Sequence, residues 1–233
     1  MKTAIILNGN VRTWTACKDN FNQTFGDLNP DIFVSTYDMQ YGYHPEVRRR
    51  FNDYVDYRLD QEDIMELFSD INLKAISIEK LADVENIVNQ ENGKLHPSLQ
   101  NMGNCYGQYR KFKIGTDMIQ HHENQHNFVY DTIIKTRCDL IYNPIDFNVP
   151  DDCVLIDSGN VFPNDCFIMS SRNNVMNISN FIMNEFYNPV FGDSNSNPPH
   201  GLLLNAVKHG NMNFKLDRIM NHVLRKELVQ DFY

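Results

Sequence analysis

The stretch Val129-Tyr130-Asp131-Thr132-Ile133-Ile134-Lys135-Thr136-Arg137-Cys138-Asp139-Leu140-Ile141-Tyr142 decides how this chain is read. It begins as an apolar, β-branched run, the composition of a buried strand. The run meets Arg137, Cys138 and Asp139. A buried strand gains nothing from a cation and an anion at its carboxyl end unless they meet a partner there. In open α/β sheets that end is where ligands bind. A carboxylate for a hard divalent ion and a guanidinium for phosphate oxygens together suit a metal-bound diphosphate. An internal Arg–Asp ion pair is the other reading, and the segment alone leaves both open.

Working outward, the same pattern recurs upstream. Thr3–Leu7 reads as a short buried strand running into the turn Asn8-Gly9-Asn10-Val11-Arg12, with a helix from Thr13 to Phe25. Asp31–Tyr37 reads as a second strand ending in Asp38. Strand, turn, helix and strand in this order form the βαβ unit of a parallel sheet. Helical spacing appears between Pro45 and Asn72, a third strand at Lys74–Ile78, and a polar, exposed stretch at Ala82–Glu91. A long helix spans Asn104 to Glu123, with Cys105, Tyr109, Phe112, Thr116 and Ile119 on one face. The Val129–Tyr142 strand follows, then short strands at Val154–Ile156 and Cys166–Met169. Helices are expected at Asn173–Tyr187 and His200–Gly210, before a tail from Asn213. No internal repeat or linker divides the chain. The expectation is α/β: a single domain over residues 1–233, with a mostly parallel central sheet flanked by helices.

Composition bounds the function. At 233 residues the chain is long enough for one sizeable core. A net charge of -9 without a basic stripe argues against nonspecific nucleic-acid binding through phosphates. Met1–Leu7 carries one charge and a very short apolar run, unlike a signal peptide, and no window has transmembrane length. The expectation is a soluble protein made in a cytoplasm, the host's if the source is viral. The cysteines at 17, 105, 138, 153 and 166 are scattered and odd in number, which fits reduced thiols.

The candidate residues each admit two readings. Gly9 after the first strand lets the backbone approach a ligand, Asn8 and Asn10 offer hydrogen bonds, and Arg12 opens the next helix near an anion-friendly terminus. An ordinary turn with an exposed Arg is the alternative. Asp38, at the second strand's end, suits a base or ribose contact or a turn. Arg110, Lys111 and Lys113 read as a solvated helix face, with a pyrophosphate contact as the other option. His121, His122 and His126 read as surface histidines, despite the i, i+4 spacing of the last two. Asp165 suits a general base beside a cleft or a plain turn residue. His200 could line an acceptor site, ligate a metal or simply begin a helix.

Taken together, the segments resemble a family of GT-A-type glycosyltransferases found in bacterial surface-polysaccharide loci and large viruses. The resemblance rests on Ile5-Ile6-Leu7-Asn8-Gly9-Asn10-Val11-Arg12-Thr13, on Asp31-Ile32-Phe33-Val34-Ser35-Thr36, and on Tyr130–Leu140. Asn164-Asp165 before a strand and the Leu-rich Leu202–Gly210 complete it, over roughly residues 3–225. Glycosyltransferase domains of large algal viruses, with capsid-glycan synthesis as a setting, are a looser likeness. The resemblance implies a nucleotide-sugar donor, UDP-linked by preference, a glycan or glycoprotein acceptor, and Mn²⁺ or Mg²⁺. It implies Asp139 as the metal ligand in place of an Asp-x-Asp motif, with Arg12 and the Gly9 turn against the nucleotide. Two departures stand out. Arg137 occupies the first Asp position of that motif, and Pro199-His200 stands where many relatives carry Pro-Glu. A nucleotidyltransferase and a noncatalytic nucleotide-sugar-binding module are the competing readings. The first of these usually carries a second Gly and a following Lys or Pro in the opening turn, absent from Asn10-Val11-Arg12-Thr13.

Overall fold

The computed structural model describes residues 1–9, 11, 14–38, 61–95, 103–158, 164–188 and 198–223. In chain order the elements are β1 (Thr3–Asn8), α1 (Trp14–Phe25), β2 (Asp31–Tyr37), α2 (Gln61–Leu67), β3 (Leu73–Glu79), α3 (Leu81–Asn92) and α4 (Gly103–His126). Then follow β4 (Thr132–Arg137), β5 (Leu140–Tyr142), β6 (Cys153–Asp157), β7 (Asn164–Ser171), α5 (Arg172–Glu185), α6 (Pro198–His209), β8 (Asn213–Asp217) and β9 (Met220–Val223).

Seven strands form one sheet in the order β3-β2-β1-β4-β7-β6-β8. β1 runs parallel to β2 and β4, β2 to β3, and β6 to β8. Only β7 is antiparallel to its neighbours β4 and β6. The sheet is therefore mostly parallel, as the strand–helix alternation predicts.

Both faces are covered, which is why the strands read as continuous apolar runs rather than alternating ones. Successive side chains point to opposite faces. Ala4, Ile6, Phe33, Ile133 and Ile168 pack with Tyr109, Phe112 and Ile119 of α4 and with residues of α5 and α6. Ile5, Leu7, Val34, Ile134 and Phe167 pack on the other face with Trp14, Phe21 and Phe25 of α1 and Ile64 of α2. Gly115 brings the α4 backbone so close to β1 that an added Cβ would collide with Ile6. Among the described residues no helix is long and apolar enough to cross a membrane.

Two expectations are corrected. Val129–Tyr142 is not one strand: β4 stops at Arg137, residues 138 and 139 turn, and β5 joins β9 in a second, two-stranded sheet. The corner is held by Tyr142. Its hydroxyl bonds Thr136 Oγ1 (2.9 Å) and donates to the Arg137 carbonyl (3.1 Å), and its N–H donates to Asn20 Oδ1 (2.7 Å). The stretch Ala82–Glu91 is exposed at Asp83, Asn86, Asn89 and Gln90, as expected, and forms part of α3, with Val84 buried. The tail from Asn213 contributes β8 and β9. The helical spacing at Val47–Val55 lies outside the described residues.

Candidate functional site

Parallel strands deliver their carboxyl ends to one edge of the sheet. β7 runs the other way, so it delivers its amino end there. Asn8 and Gly9 after β1, Asp38 after β2, Arg137 to Asp139 after β4, and Asp165 at the start of β7 consequently share one edge. The register places Asn8 opposite Ser35 on one side and Arg137 on the other. Gly9 has φ +99°, a left-handed conformation that favours glycine, and its N–H donates to the Ser35 carbonyl (3.1 Å).

Arg137 and Asp139 form a two-pronged ion pair across the turn. Nε donates to Oδ1 at 2.8 Å and a terminal nitrogen to Oδ2 at 2.6 Å. Asp139 is buried, and the Arg137 side chain is mostly so. Such fork-on-carboxylate geometry is the strong form of the interaction. Arg137 also touches Cys166 Sγ at 3.8 Å, tying the corner to β7.

Asp165 is buried and held from two sides. Gln108 of α4 donates its amide to Oδ2, and the fully buried Lys135 of β4 donates to the Asp165 carbonyl. Burial pushes the Lys135 amine down from its ordinary range, and the charge of Asp165 works against that. Asn8 donates to the carbonyl of the same Gln108 at 3.4 Å. One helix residue thus links the β1 turn to Asp165.

A second cluster lies at the ends of β2 and β3. Glu79 accepts from Arg110 at 2.5 and 2.6 Å and pairs with Lys111 at 2.7 Å. Lys111 also donates to the Thr36 carbonyl and sits 4.2 Å from the Tyr37 ring centre. Burial pushes the Lys111 amine down to about 8, against the pull of Glu79. Burial raises Glu79, but the hydrogen bonds from Arg110 and Lys111 outweigh it and leave the carboxyl below its ordinary value. Asp38 follows directly, buried, with its N–H on the Glu79 carbonyl (2.9 Å). The expectation of a solvated basic face is thereby corrected for Lys111 and Arg110. The sheet, α3 and α5 all pack on α4, so residues flanking Tyr109 and Phe112 are enclosed as well.

The structure thus brings Asn8, Gly9, Asp38, Arg137, Asp139 and Asp165 to one edge. Arg12 lies outside the described residues. His200 is the third residue of α6, a helix that packs against β7. Its Nδ1 is buried with no hydrogen-bond partner among the described residues. Buried Asn8 Oδ1 and Ser35 Oγ, opposite each other in register, are likewise without described partners. His122 packs against Phe33, Phe128 and Tyr130 near the starts of β2 and β4, away from this edge, and His121 and His126 are exposed.

Sequence reasoning missed Gln108 and Lys135. Lys135 carried a signal: a lone cation inside the run Ile133-Ile134-Lys135-Thr136 must find an acceptor or a counter-charge. Gln108 carried none, since its partner lies 57 residues away.

The residues fit a divalent ion in one form only. A carboxylate has about four lone-pair sites, and Arg137 takes two on Asp139. Among the described residues no group of three or more His, Cys, Asp or Glu converges as a metal cage. A single carboxylate then needs phosphate oxygens and waters to complete the shell, which Mn²⁺ and Mg²⁺ accept.

No family model matches the chain, and no curated protein matches it. Solved structures do, among them one titled "PaToxG Glycosyltransferase". It is 12% identical, with a TM-score of 0.42, over 89% of this chain and 67% of that chain. A likeness of that depth carries no functional argument.

Proposed function

We propose that this chain is a GT-A-type glycosyltransferase, moving a sugar from a nucleotide sugar, UDP-linked by preference, to a hydroxyl of a glycan or glycoprotein acceptor. The observation that carries the reading is the convergence of a glycine turn, an Arg–Asp corner and a held carboxylate at the carboxyl edge of a parallel sheet, where ligands bind. The Gly9 turn lies against the nucleotide, with Asn8 and Asp38 beside it. Arg137 orients Asp139 and sets the positive charge of its guanidinium beside the phosphate oxygens. Asp165 takes the proton of the acceptor hydroxyl as the glycosidic bond breaks, which makes the reaction inverting. His200 serves the acceptor side through Nδ1, which meets no hydrogen-bond partner among the described residues.

Charge supports metal assistance. Arg110 and Lys111 are engaged by Glu79, Arg137 by Asp139, and Lys135 by the Asp165 carbonyl. Around them stand Asp38 and Asp165 as further carboxylates. An incoming diphosphate therefore gains little from the described cations. Asp139 would hold the Mn²⁺ or Mg²⁺ that screens the leaving diphosphate.

Calorimetry of UDP-, GDP- and dTDP-sugars, with and without Mn²⁺, tests this. The expected result is binding of one donor with Mn²⁺ present, weak Mn²⁺ binding without nucleotide, and release of the nucleoside diphosphate when an acceptor glycan is added. No binding of any of these donors sinks the reading. Binding without turnover toward any acceptor or water favours the noncatalytic module, which the closed Arg137–Asp139 pair would suit.

A further inference from the structure

β7 does not meet its neighbours evenly. Its ladder with β4 ends at Lys135 opposite Ile168. On the other side Ile156 faces Ile168, yet the next residue of β6, Asp157, faces Asn164. One step on β6 thus spans four on β7, so Asp165, Cys166 and Phe167 bulge out of the sheet. Bulges re-aim side chains and recur beside active sites.

Three contacts pin this bulge. Lys135 reaches past the end of its own ladder, which stops opposite Ile168, and donates to the Asp165 carbonyl. Asn164 Oδ1 accepts the Cys166 N–H at 3.1 Å. Gln108 takes Asp165 Oδ2, while Oδ1 receives no hydrogen bond from a described residue. A fully buried amine is a costly way to hold a main-chain carbonyl. An apolar side chain would fill the same space at no such cost, so packing alone does not account for Lys135.

We infer that Gln108 and Lys135 are positioning residues: they lock the β7 bulge so that Asp165 presents one bound and one uncommitted carboxylate oxygen at the mouth of the site. The inference rests on the reading of Asp165 as the acceptor-activating base, and it deepens that reading. A base must be pre-set within hydrogen-bond reach of the proton it takes. Lys135 fixes the main chain of Asp165, and Gln108 fixes its side chain. Through Asn8, the same Gln108 is bonded to the turn that would hold the donor.

The test compares Lys135→Met, Gln108→Met and wild type. Met matches Gln108 in length, falls one atom short of Lys135, and lacks the donor of either. Three readouts are taken: donor affinity by calorimetry with Mn²⁺, steady-state turnover against pH, and hydrogen exchange of the segment 164–168. The expected result for each variant is unchanged donor affinity and a loss of kcat on the order of 10- to 100-fold. The acid limb of the kcat profile should move, and exchange at 164–168 should quicken while β1 and α5 are unaffected. Faster exchange with unchanged kcat per folded molecule overturns the inference, since Lys135 and Gln108 would then hold only the strand. Unchanged exchange overturns it as well. If Lys135→Met does not fold, Gln108→Met decides alone. A wild type that turns over no nucleotide sugar removes the functional reading and this inference with it. A wild type that turns over and is matched by both variants removes the inference only.

Discussion

Arg137 closes on Asp139 with two hydrogen bonds, at 2.8 and 2.6 Å, across a turn of only two residues. The pair sits where the main sheet ends and the small sheet begins. It therefore serves the fold and the proposed site together, and the two roles separate by experiment.

Asp139→Asn keeps the shape and removes the charge, leaving the mostly buried Arg137 without its counter-ion. Removing one partner of a buried pair costs about 3–5 kcal/mol. Because the amide still accepts one hydrogen bond, the low end of that range is expected in a melting experiment. Turnover per folded molecule should also fall by about 100-fold or more, with the Mn²⁺ response abolished. A lower melting temperature with normal turnover and normal response to Mn²⁺ would show that Asp139 holds only the fold.

Gly9→Ala probes the turn. An added Cβ at Gly9 meets nothing within 4 Å, so the cost is that of the backbone at φ +99°. A non-glycine residue held there loses about 1–3 kcal/mol. The expected outcome is a modest drop in melting temperature and a larger drop in donor affinity by calorimetry, as the turn relaxes. Unaltered donor affinity would place the nucleotide elsewhere.

Gly115→Ala tests the close approach of α4 to β1. The new methyl collides with Ile6, whose side chain is fully buried and cannot swing away. Overpacking of this kind costs about 1–3 kcal/mol. Gly115→Ala combined with Ile6→Ala, which removes the Cγ2 nearest the new methyl, should cost less than the two single losses added together in a denaturant titration. Two additive losses would show that the two residues do not meet.

Lys111 supplies a pH signature. Its folded value, about 8, lies below the ordinary 10.5. Below about pH 8 the buried amine is charged in both states, and the cost of burying that charge is fully present. Between about 8 and 10.5 the unfolded chain binds more protons than the folded one, so this group's contribution to stability rises with pH. Lys111→Met removes the dependence. The stability of wild type relative to that variant should therefore climb between pH 8 and 10, measured by calorimetry. A flat difference would mean that Glu79 and the Thr36 carbonyl hold the amine at its ordinary value.

Much of the architecture is legible in the order of residues. The unbroken apolar runs at Thr3–Leu7 and Ile32–Val34, each followed by polar residues, require strands buried on both faces. Strand–helix–strand order then makes β1 and β2 parallel, and parallel strands send their carboxyl ends to one edge. That is enough to gather Asn8, Gly9, Asp38, Arg137 and Asp139, because each ends a strand or lies within two residues of its end. These facts are local: periodicity, turn chemistry and chain direction are written over a few neighbouring residues.

Tertiary packing alone decided the rest. Nothing local reverses β7, and only that reversal carries Asp165 to the carboxyl edge. Nothing local tells that the run after Arg137 turns away, since Leu140–Tyr142 is as apolar as the strand before it. It leaves because Tyr142 finds Asn20, Thr136 and Phe25 on the other face. Lys111 and Gln108 belong to a helix whose polar side looks solvated in isolation. Their partners Glu79 and Asp165 lie 32 and 57 positions away, and the helix is enclosed only once sheet and neighbouring helices pack around it. Pairing across such distances depends on which surfaces meet, and that is settled by the burial of the whole core rather than by any short stretch of chain.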